Sequence, residues 1–279
     1  MTLQAVEAEI AKLQTKQAKE QAQSTTKRGG GYPSEDKAKM SVPGDDWEAV
    51  PISKKHGKVL DDQKQVKTFK ALDSSRAFGQ RNLLQGLNLY HHVIDSALES
   101  KITASVHAAV AQGKRGQLAG ETYMSNGKER CARLQYGSGF YNYSDHRLDP
   151  KVKIEAMPDY LKPLLDVLQQ EGILDRAKMP NTAVVNIYDT GEWMPPHIDS
   201  KDFARPIVTF CLSGDAEYFF GDRGGRVQLN GPGRMQGHPV TLPRRSLLVL
   251  DDDIVANEVE HGVSPATAPR ISITFRRRV

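Results

Sequence analysis

Residues 182–188 read TAVVNIY and begin a series of short β-type runs that decides the fold of the chain. The runs that follow are PIVTFCL (206–212), AEYFFG (216–221), GRVQLN (225–230), HPVTLP (238–243), SLLVLDD (246–252) and RISITFR (270–276). Turn-forming stretches rich in glycine separate them, including residues 222–225 and 231–233, and no helical period connects them. Short strands at this spacing are typical of a jelly roll or a β-sandwich.

Two amphipathic helices are predicted before these runs, after a strand-like stretch at 87–94. The first helix begins at Ser96, which has the capping-box spacing to Glu99, and ends at Gly113. Its apolar stripe consists of Leu98, Ile102, Val106, Ala109 and Val110. The second helix is predicted at about 158–171. We therefore expect an α+β protein with a double-stranded β-helix core (a cupin-like jelly roll), flanking helices and a flexible N-terminal arm.

The first 75 residues differ in composition from the rest of the chain. Residues 1–23 predict a helix, because apolar residues recur every three or four positions, and this helix is expected to bind an unknown partner. Residues 24–75 are rich in Gly, Ser, Pro, Lys and Asp and predict a flexible linker. The folded domain is accordingly expected at 76–279.

The amino-acid composition limits the classes of protein to which the chain can belong. The chain is 38% hydrophobic and 26% charged, and its net charge is +4 with 38 Lys and Arg residues, which permits a polyanionic partner without requiring one. No stretch has the length of a membrane span, and the N-terminus lacks the apolar core of a signal peptide. The two cysteines, Cys131 and Cys211, are expected to be reduced thiols. We expect an intracellular monomer in the nucleus, the cytoplasm or both.

A histidine and an aspartate lie two residues apart after a Pro-Pro pair. Side chains at i and i+2 of an extended segment point to the same side, so His197 and Asp199 can meet on one metal ion. His261 offers a second imidazole just before the last strand. Two histidines and one carboxylate leave open coordination positions, as in non-haem Fe(II) oxygenases, although zinc hydrolases also use this set.

The last strand carries two arginines in an alternating pattern. Arg270, Ser272, Thr274 and Arg276 share one face of it. Guanidinium groups bind carboxylates in a bidentate manner, so this face can hold a dicarboxylate. The alternative is a solvated edge strand with alternating charge. A zinc hydrolase would leave Arg270 and Arg276 without a role.

The order of these motifs resembles that of the AlkB-type dioxygenases, which depend on Fe(II) and 2-oxoglutarate. The stretches PPHIDSKDFARPIVTF (195–210) and PRISITFR (269–276) are similar to the branch that removes N6-methyl groups from adenosine in RNA. NGPGRMQG (230–237), followed by LPRRSLLVL (242–250), fits the same branch. The resemblance covers roughly residues 85–279.

The resemblance implies a role for each matched position. His197, Asp199 and His261 would bind Fe(II), with O2 as the second co-substrate. Arg270 and Tyr188 would hold the distal carboxylate of 2-oxoglutarate. Asn186 and Arg276 would contact its other end, near the metal. The implied activity is oxidative demethylation of N6-methyladenosine in single-stranded RNA, such as methylated mRNA, with release of formaldehyde.

Residues 113–146 interleave cations with aromatic residues, a combination that suits a single-stranded nucleic acid. The resemblance implies a nucleotide-recognition lid here, with Arg130, Arg133 and Tyr141 as substrate contacts. The alternative is that this segment is a solvent-exposed hairpin whose tyrosines belong to the core and bind no nucleic acid. Two other functions stay open: an AlkB-type enzyme acting on other alkylated bases or on a protein side chain, and a metal-independent RNA-binding module.

Overall fold

The computed structural model describes residues 66–68, 83–125, 131–143 and 147–279. The helix predicted at 1–23 lies outside them, as does most of the linker predicted at 24–75. The described part of that linker, Val66–Thr68, is a strand that pairs antiparallel with residues 88–90. Val66 and Thr68 are β-branched, which favours an extended backbone. Residues 66–68 of the predicted linker are therefore an edge strand of the major sheet.

Short strands dominate the described residues. In chain order they are β1 (Val66–Thr68), β2 (Leu87–Tyr90), β3 (Tyr123–Met124), β4 (Ala132–Gly137), β5 (Phe140–Asn142), β6 (Arg147–Asp149), β7 (Thr182–Tyr188), β8 (Met194–His197), β9 (Phe203–Ser213), β10 (Ala216–Phe220), β11 (Gln228–Leu229), β12 (Met235–Gln236), β13 (His238–Leu242), β14 (Ser246–Leu250), β15 (His261–Val263) and β16 (Arg270–Arg278). Each of the seven predicted runs after Pro180 contains a strand, which confirms that prediction.

Two antiparallel sheets face each other and form the jelly roll. The major sheet has the order β1-β2-β14-β9-β16-β7-β4-β3, and the minor sheet has the order β13-β10-β15-β8. Two small ribbons, β5–β6 and β11–β12, complete the described strands. The predicted double-stranded β-helix with flanking helices is confirmed.

In the described residues the helices are α1 (Ser96–Lys114), α2 (Lys162–Gln170) and α3 (Ile254–Asn257), and 3₁₀ turns lie at Asp159–Leu161, Arg176–Lys178 and Arg223–Gly225. The first helix is capped differently from the prediction. The Asp95 carboxylate, not Ser96, accepts the N–H of Leu98 at 2.7 Å. Glu99 is buried and pairs with Arg244 at 2.6 Å instead of closing a capping box. Among the described residues, no helix has the length and apolar character needed to cross a membrane.

The two faces of the major sheet are buried by different partners. Helices α1 and α2 cover one face, where Ile102, Val106, Leu164 and Leu168 form an apolar core with β-strand residues such as Phe275. The other face lies against the minor sheet and contributes to a second apolar cluster. The functional pocket lies on this second face.

Part of the segment predicted as a lid, 113–146, belongs to the major sheet through β3 and β4. Strand β4 pairs with β7 along its whole length, and β3 pairs with β4. The reason is that Leu134 and Tyr136 alternate along β4 and bury their side chains in the core beneath the helices. Strands β5 and β6 form a separate two-stranded ribbon, and residues 126–130 and 144–146 lie outside the described part of the chain.

Candidate active site

A pocket of about 270 Å³ lies between the major and the minor sheet. It brings together residues that are up to 143 positions apart in the chain, from Arg133 to Arg276. Its lining consists of Arg133, Tyr141, Tyr143, Asn186, Tyr188, Met194, Pro195, Pro196, His197, Ile198, Asp199, Ser200, Thr209, Tyr218, Leu248, Leu250, His261, Val263, Thr274 and Arg276.

The two histidines of the pocket lie directly opposite each other in the minor sheet. His197 on β8 and His261 on β15 are paired in the antiparallel register, and their ring centroids are 4.5 Å apart. The Nδ1 atom of His197 lies 2.9 Å from the carbonyl oxygen of Pro195. Because a carbonyl can only accept, Nδ1 carries the proton and Nε2 has a free lone pair. This Nε2 is therefore able to bind a metal ion.

Asp199 completes a group of metal-binding atoms. Its Oδ2 lies 3.7 Å from Nε2 of His261. One ligand atom from each of His197, Asp199 and His261 lies within 4.8 Å of the others, so the three can meet on one ion. Burial alone would raise the pKa of the Asp199 carboxyl, but the electrostatic influence of its neighbours His261, Arg276 and His197 brings it below its usual value. The carboxylate is thus ionised at neutral pH.

His261 is held in the neutral form that a ligand requires. Burial, reinforced by the neighbouring His197, lowers the pKa of His261 to about 3. A neutral imidazole presents a lone pair to a metal ion, whereas a protonated one cannot bind it.

Arg270 is a buried cation without an anionic partner among the described residues. It is 2% exposed, and its guanidinium lies 4.0 Å from the centroid of the Tyr188 ring, across the β16–β7 register. None of its three nitrogens has a hydrogen-bond partner in the described structure. Burial raises the pKa of Tyr188 well above its usual value, so its hydroxyl stays protonated. An arginine left in this state is suited to receive a carboxylate.

Asn186 and Arg276 lie further along the same face. Asn186 is opposite Ser272 in the register of β7 and β16, and its Oδ1 accepts a weak hydrogen bond from the Cys131 thiol at 3.7 Å. Arg276 donates from Nη2 to the Tyr143 hydroxyl at 2.8 Å, while its Nε is buried without a partner in the described residues. The Ser272 hydroxyl is also buried and unpartnered there. This face therefore offers several free donors to a ligand.

The predicted substrate residues have different positions. Arg130 lies outside the described residues. Arg133 lines the pocket, is 2% exposed, and its guanidinium stands 4.3 Å from the centroid of the Tyr143 ring. Tyr141 also lines the pocket, but its ring packs against Tyr143 and Phe203 in a small apolar cluster. Tyr143, rather than Tyr141, is the less buried aromatic ring of this wall.

Several lining residues were not predicted from the sequence. Tyr218 on β10 is buried against the pocket, and burial raises its pKa to about 12. Tyr218 and Phe220 are two residues apart on one strand, so both side chains point to the interior. The alternation in AEYFF could have predicted this orientation. Thr209 and Thr274 share a hydrogen bond at 3.0 Å on the major-sheet wall. Ile198 lies at the rim between two of the metal-binding residues and is 41% exposed.

Comparisons with known proteins agree with this geometry. Residues 86–276 match the 2OG-Fe(II) oxygenase superfamily. The chain is 31% identical over 208 residues to the RNA demethylase ALKBH9B of Arabidopsis thaliana, covering 70% of this chain and 40% of that protein. It is 26% identical over 226 residues to the RNA demethylase ALKBH10B of Arabidopsis thaliana, covering 77% of this chain and 38% of that protein. The RNA demethylase ALKBH5 of Mus musculus is 26% identical over 179 residues, 60% of this chain and 43% of its own length.

The chain spans about two fifths of the length of these relatives. The similarity to them confirms the predicted resemblance to AlkB-type dioxygenases. The family implies Fe(II) and 2-oxoglutarate, and the group formed by His197, Asp199 and His261 is a candidate for holding the metal. Because the family match extends over more than half of its residues, this chain belongs to the 2OG-Fe(II) oxygenase superfamily.

Proposed function

We propose that the chain is an RNA demethylase that uses Fe(II), 2-oxoglutarate and O2 to remove the methyl group of N6-methyladenosine. One observation carries the proposal: the buried, unpartnered guanidinium of Arg270 lies against the ring of Tyr188, which lines the pocket that holds His197, Asp199 and His261. A metal-binding group alone fits a zinc hydrolase equally well. A buried cation that can bind a carboxylate distinguishes the two, because it has a role in an enzyme that binds an oxo-acid beside its metal ion.

The residues fit an iron ion by number and chemistry. His197 and His261 would each supply a neutral imidazole and Asp199 a carboxylate, which leaves one net positive charge on Fe(II) and open positions for an anionic co-substrate. The Pro195 carbonyl orients the His197 ring, in the way that outer partners usually fix metal-binding histidines.

The same face of β16 would hold 2-oxoglutarate. Arg270 would pair with the distal carboxylate, and the Tyr188 hydroxyl would donate to it. Asn186 and Arg276 would contact the end nearer the metal. The free nitrogens of Arg270, the Ser272 hydroxyl and the Arg276 Nε support this placement, because a bound dicarboxylate gives buried donors the acceptors that they lack in the described residues.

When bound, the metal and its co-substrates would supply the oxidation: 2-oxoglutarate would lose CO2, one oxygen atom of O2 would enter the resulting succinate, and the other would hydroxylate the N-methyl group, whose N–C bond then breaks to give formaldehyde and the free amine. The protein positions the base. The pocket lining combines the apolar residues Pro195, Pro196 and Ile198 with Arg133 and Tyr143, whose guanidinium and ring lie 4.3 Å apart. Such side chains can stack on a base once it is unpaired, so unpaired RNA is the favoured substrate. The RNA demethylases among the relatives support this choice.

The test is turnover of a single-stranded RNA oligonucleotide with one N6-methyladenosine, in the presence of iron, 2-oxoglutarate and ascorbate. Formaldehyde and unmodified adenosine are expected in equal amounts. His197→Gln should abolish both products. His107→Gln is the matched control, because His107 is exposed on α1 and distant from the pocket lining, and it should retain full turnover.

The same assay separates the alternatives. Faster turnover of 1-methyladenosine RNA or of methylated DNA at the same salt concentration would move the proposal to another AlkB-type substrate. Binding of RNA without any turnover, and unchanged by His197→Gln, would instead favour a metal-independent RNA-binding module. Either result contradicts demethylation of N6-methyladenosine as the main activity.

A further inference from the structure

The three proposed metal ligands are not held by the same kind of structure. His197 and His261 face each other in the β8–β15 ladder, which fixes both backbones. Asp199 lies two residues beyond the end of β8, in residues 198–202, which form neither helix nor strand. Backbone pairing therefore cannot define the position of the carboxylate, and another interaction must do so.

Arg205 supplies that interaction from the start of β9. Its Nη2 donates to the carbonyl oxygen of Asp199 at 2.8 Å, and its Nη1 donates to those of Ser200 at 3.0 Å and Phe203 at 2.7 Å. The guanidinium thus lies inside the turn that follows Asp199 and binds three of its carbonyl groups. A planar group with donors on two sides can do this, whereas a lysine ammonium cannot match the geometry.

A fourth hydrogen bond connects this turn to the other ligand. Nη2 of Arg205 also donates to the carbonyl oxygen of Ala256 at 3.0 Å. Ala256 lies in α3, and the chain runs from α3 through residues 258–260 to His261 at the start of β15. One side chain therefore ties the turn that carries Asp199 to the segment that leads into His261. All four acceptors are backbone carbonyls, so the contacts do not depend on neighbouring side chains.

We infer that Arg205 is a positioning residue that fixes the Asp199 carboxylate relative to the two histidines. The inference rests on the proposed function insofar as the three residues bind a metal ion. It assigns Arg205 no contact with substrate or co-substrate. Removing an outer partner of a metal ligand typically weakens metal binding by about 10- to 100-fold.

The test measures Mn(II) affinity of the full chain without turnover, from the free Mn(II) signal in electron paramagnetic resonance, together with the melting temperature. Arg205→Ala is expected to raise the Kd for Mn(II) about 10- to 100-fold, and Arg205→Lys is expected to raise it by less. Arg244→Ala is the matched control: Arg244 also binds across the fold, to Glu99, but it does not line the pocket. It should lower the melting temperature and leave the Kd unchanged.

The outcomes separate the two proposals. If wild type and Arg205→Ala bind Mn(II) within twofold of each other, Arg205 supports the fold only and the inference is overturned, while the proposed function stands. If wild type binds no Mn(II), the proposed metal site fails and the inference fails with it. Should Arg205→Ala not fold, Arg205→Lys decides by the same twofold criterion.

Discussion

The two faces of β16 are both buried, but their side chains are partnered in opposite ways. Ile271, Ile273 and Phe275 pack into the apolar core under the helices. Arg270, Ser272 and Arg276, which alternate with them, are also buried, and each keeps at least one polar atom without a hydrogen-bond partner in the described structure. Stability and ligand binding are thus assigned to alternate residues of one strand.

The contrast between the two faces explains how the fold accommodates a ligand-binding face. A buried donor without a partner costs about 1–3 kcal/mol, and more when it is charged. The apolar face offsets this cost by burying three large side chains. The polar face recovers the lost hydrogen bonds only when a ligand arrives. Substitutions on the two faces should therefore affect different properties.

The largest effect is expected on the apolar face. Phe275→Ala removes a fully buried ring from the core and should lower the free energy of unfolding by about 3–5 kcal/mol. Urea denaturation of the metal-free protein measures this loss. Phe275→Leu keeps most of the volume and should lose less than about 1.5 kcal/mol. In the folded fraction, the Kd for 2-oxoglutarate should be unchanged; a parallel loss of co-substrate affinity would show that the faces are coupled.

The adjacent residue on the other face should behave in the reverse way. Arg270→Met keeps the length of the side chain but removes the charge, so 2-oxoglutarate binding should weaken by about 2–5 kcal/mol, roughly 30- to 4000-fold in Kd. The free energy of unfolding without ligand should stay the same or rise, because the substitution removes the three buried guanidinium nitrogens of Arg270 that lack a hydrogen-bond partner.

Calorimetric titration with Mn(II) present and urea denaturation without ligand provide the two readings for Arg270→Met. Arg277→Met is the control, since Arg277 is exposed on the same strand and should leave the Kd unchanged. Marked destabilisation of Arg270→Met would mean that this arginine supports the fold.

Much of this arrangement could be predicted from periodicity. The alternation in RISITFR places Arg270 and Arg276 on one face and the apolar residues on the other. The spacing of His197 and Asp199 predicted that both side chains point to one side, and both line the pocket, although Asp199 lies beyond the end of β8 and is not held by strand pairing. These are local relations, which a sequence displays directly. The β runs after Pro180 were predictable for the same reason.

Long-range relations could not be predicted in this way. The strand pairing of His197 with His261 joins positions 64 residues apart, so local periodicity does not show it; the resemblance to AlkB-type dioxygenases implied only that both residues bind one metal ion. Strand β8 itself was not predicted, because Pro195 and Pro196 lack the backbone N–H groups that pair strands. The two prolines are tolerated because β8 is an edge strand of the minor sheet. The hydrogen bonds of Arg205 reach Ala256, 51 residues away, and leave no local pattern.

Glu99 shows how local spacing misleads, and it gives the smallest expected effect. Asp95 and Ser96 are both good capping residues, and the structure uses Asp95, which frees Glu99 to pair with Arg244 and Arg245 beside the turn before β14. Unlike Arg270, this buried charge has partners, so Glu99→Gln should cost stability. Because the Arg244 side chain is 56% exposed and water can replace its partner, the loss should be only about 1–2 kcal/mol.

A double-mutant cycle of Glu99→Gln with Arg244→Ala, read by urea denaturation, measures the coupling of this pair directly. Additive losses would mean that the two groups do not interact in solution. The Kd values for Mn(II) and 2-oxoglutarate should be unaffected in all three variants, because neither residue lines the pocket. A change in either Kd would show that a paired charge on the helix side also shapes the binding face, and the division between the two faces of the sheet would then not hold.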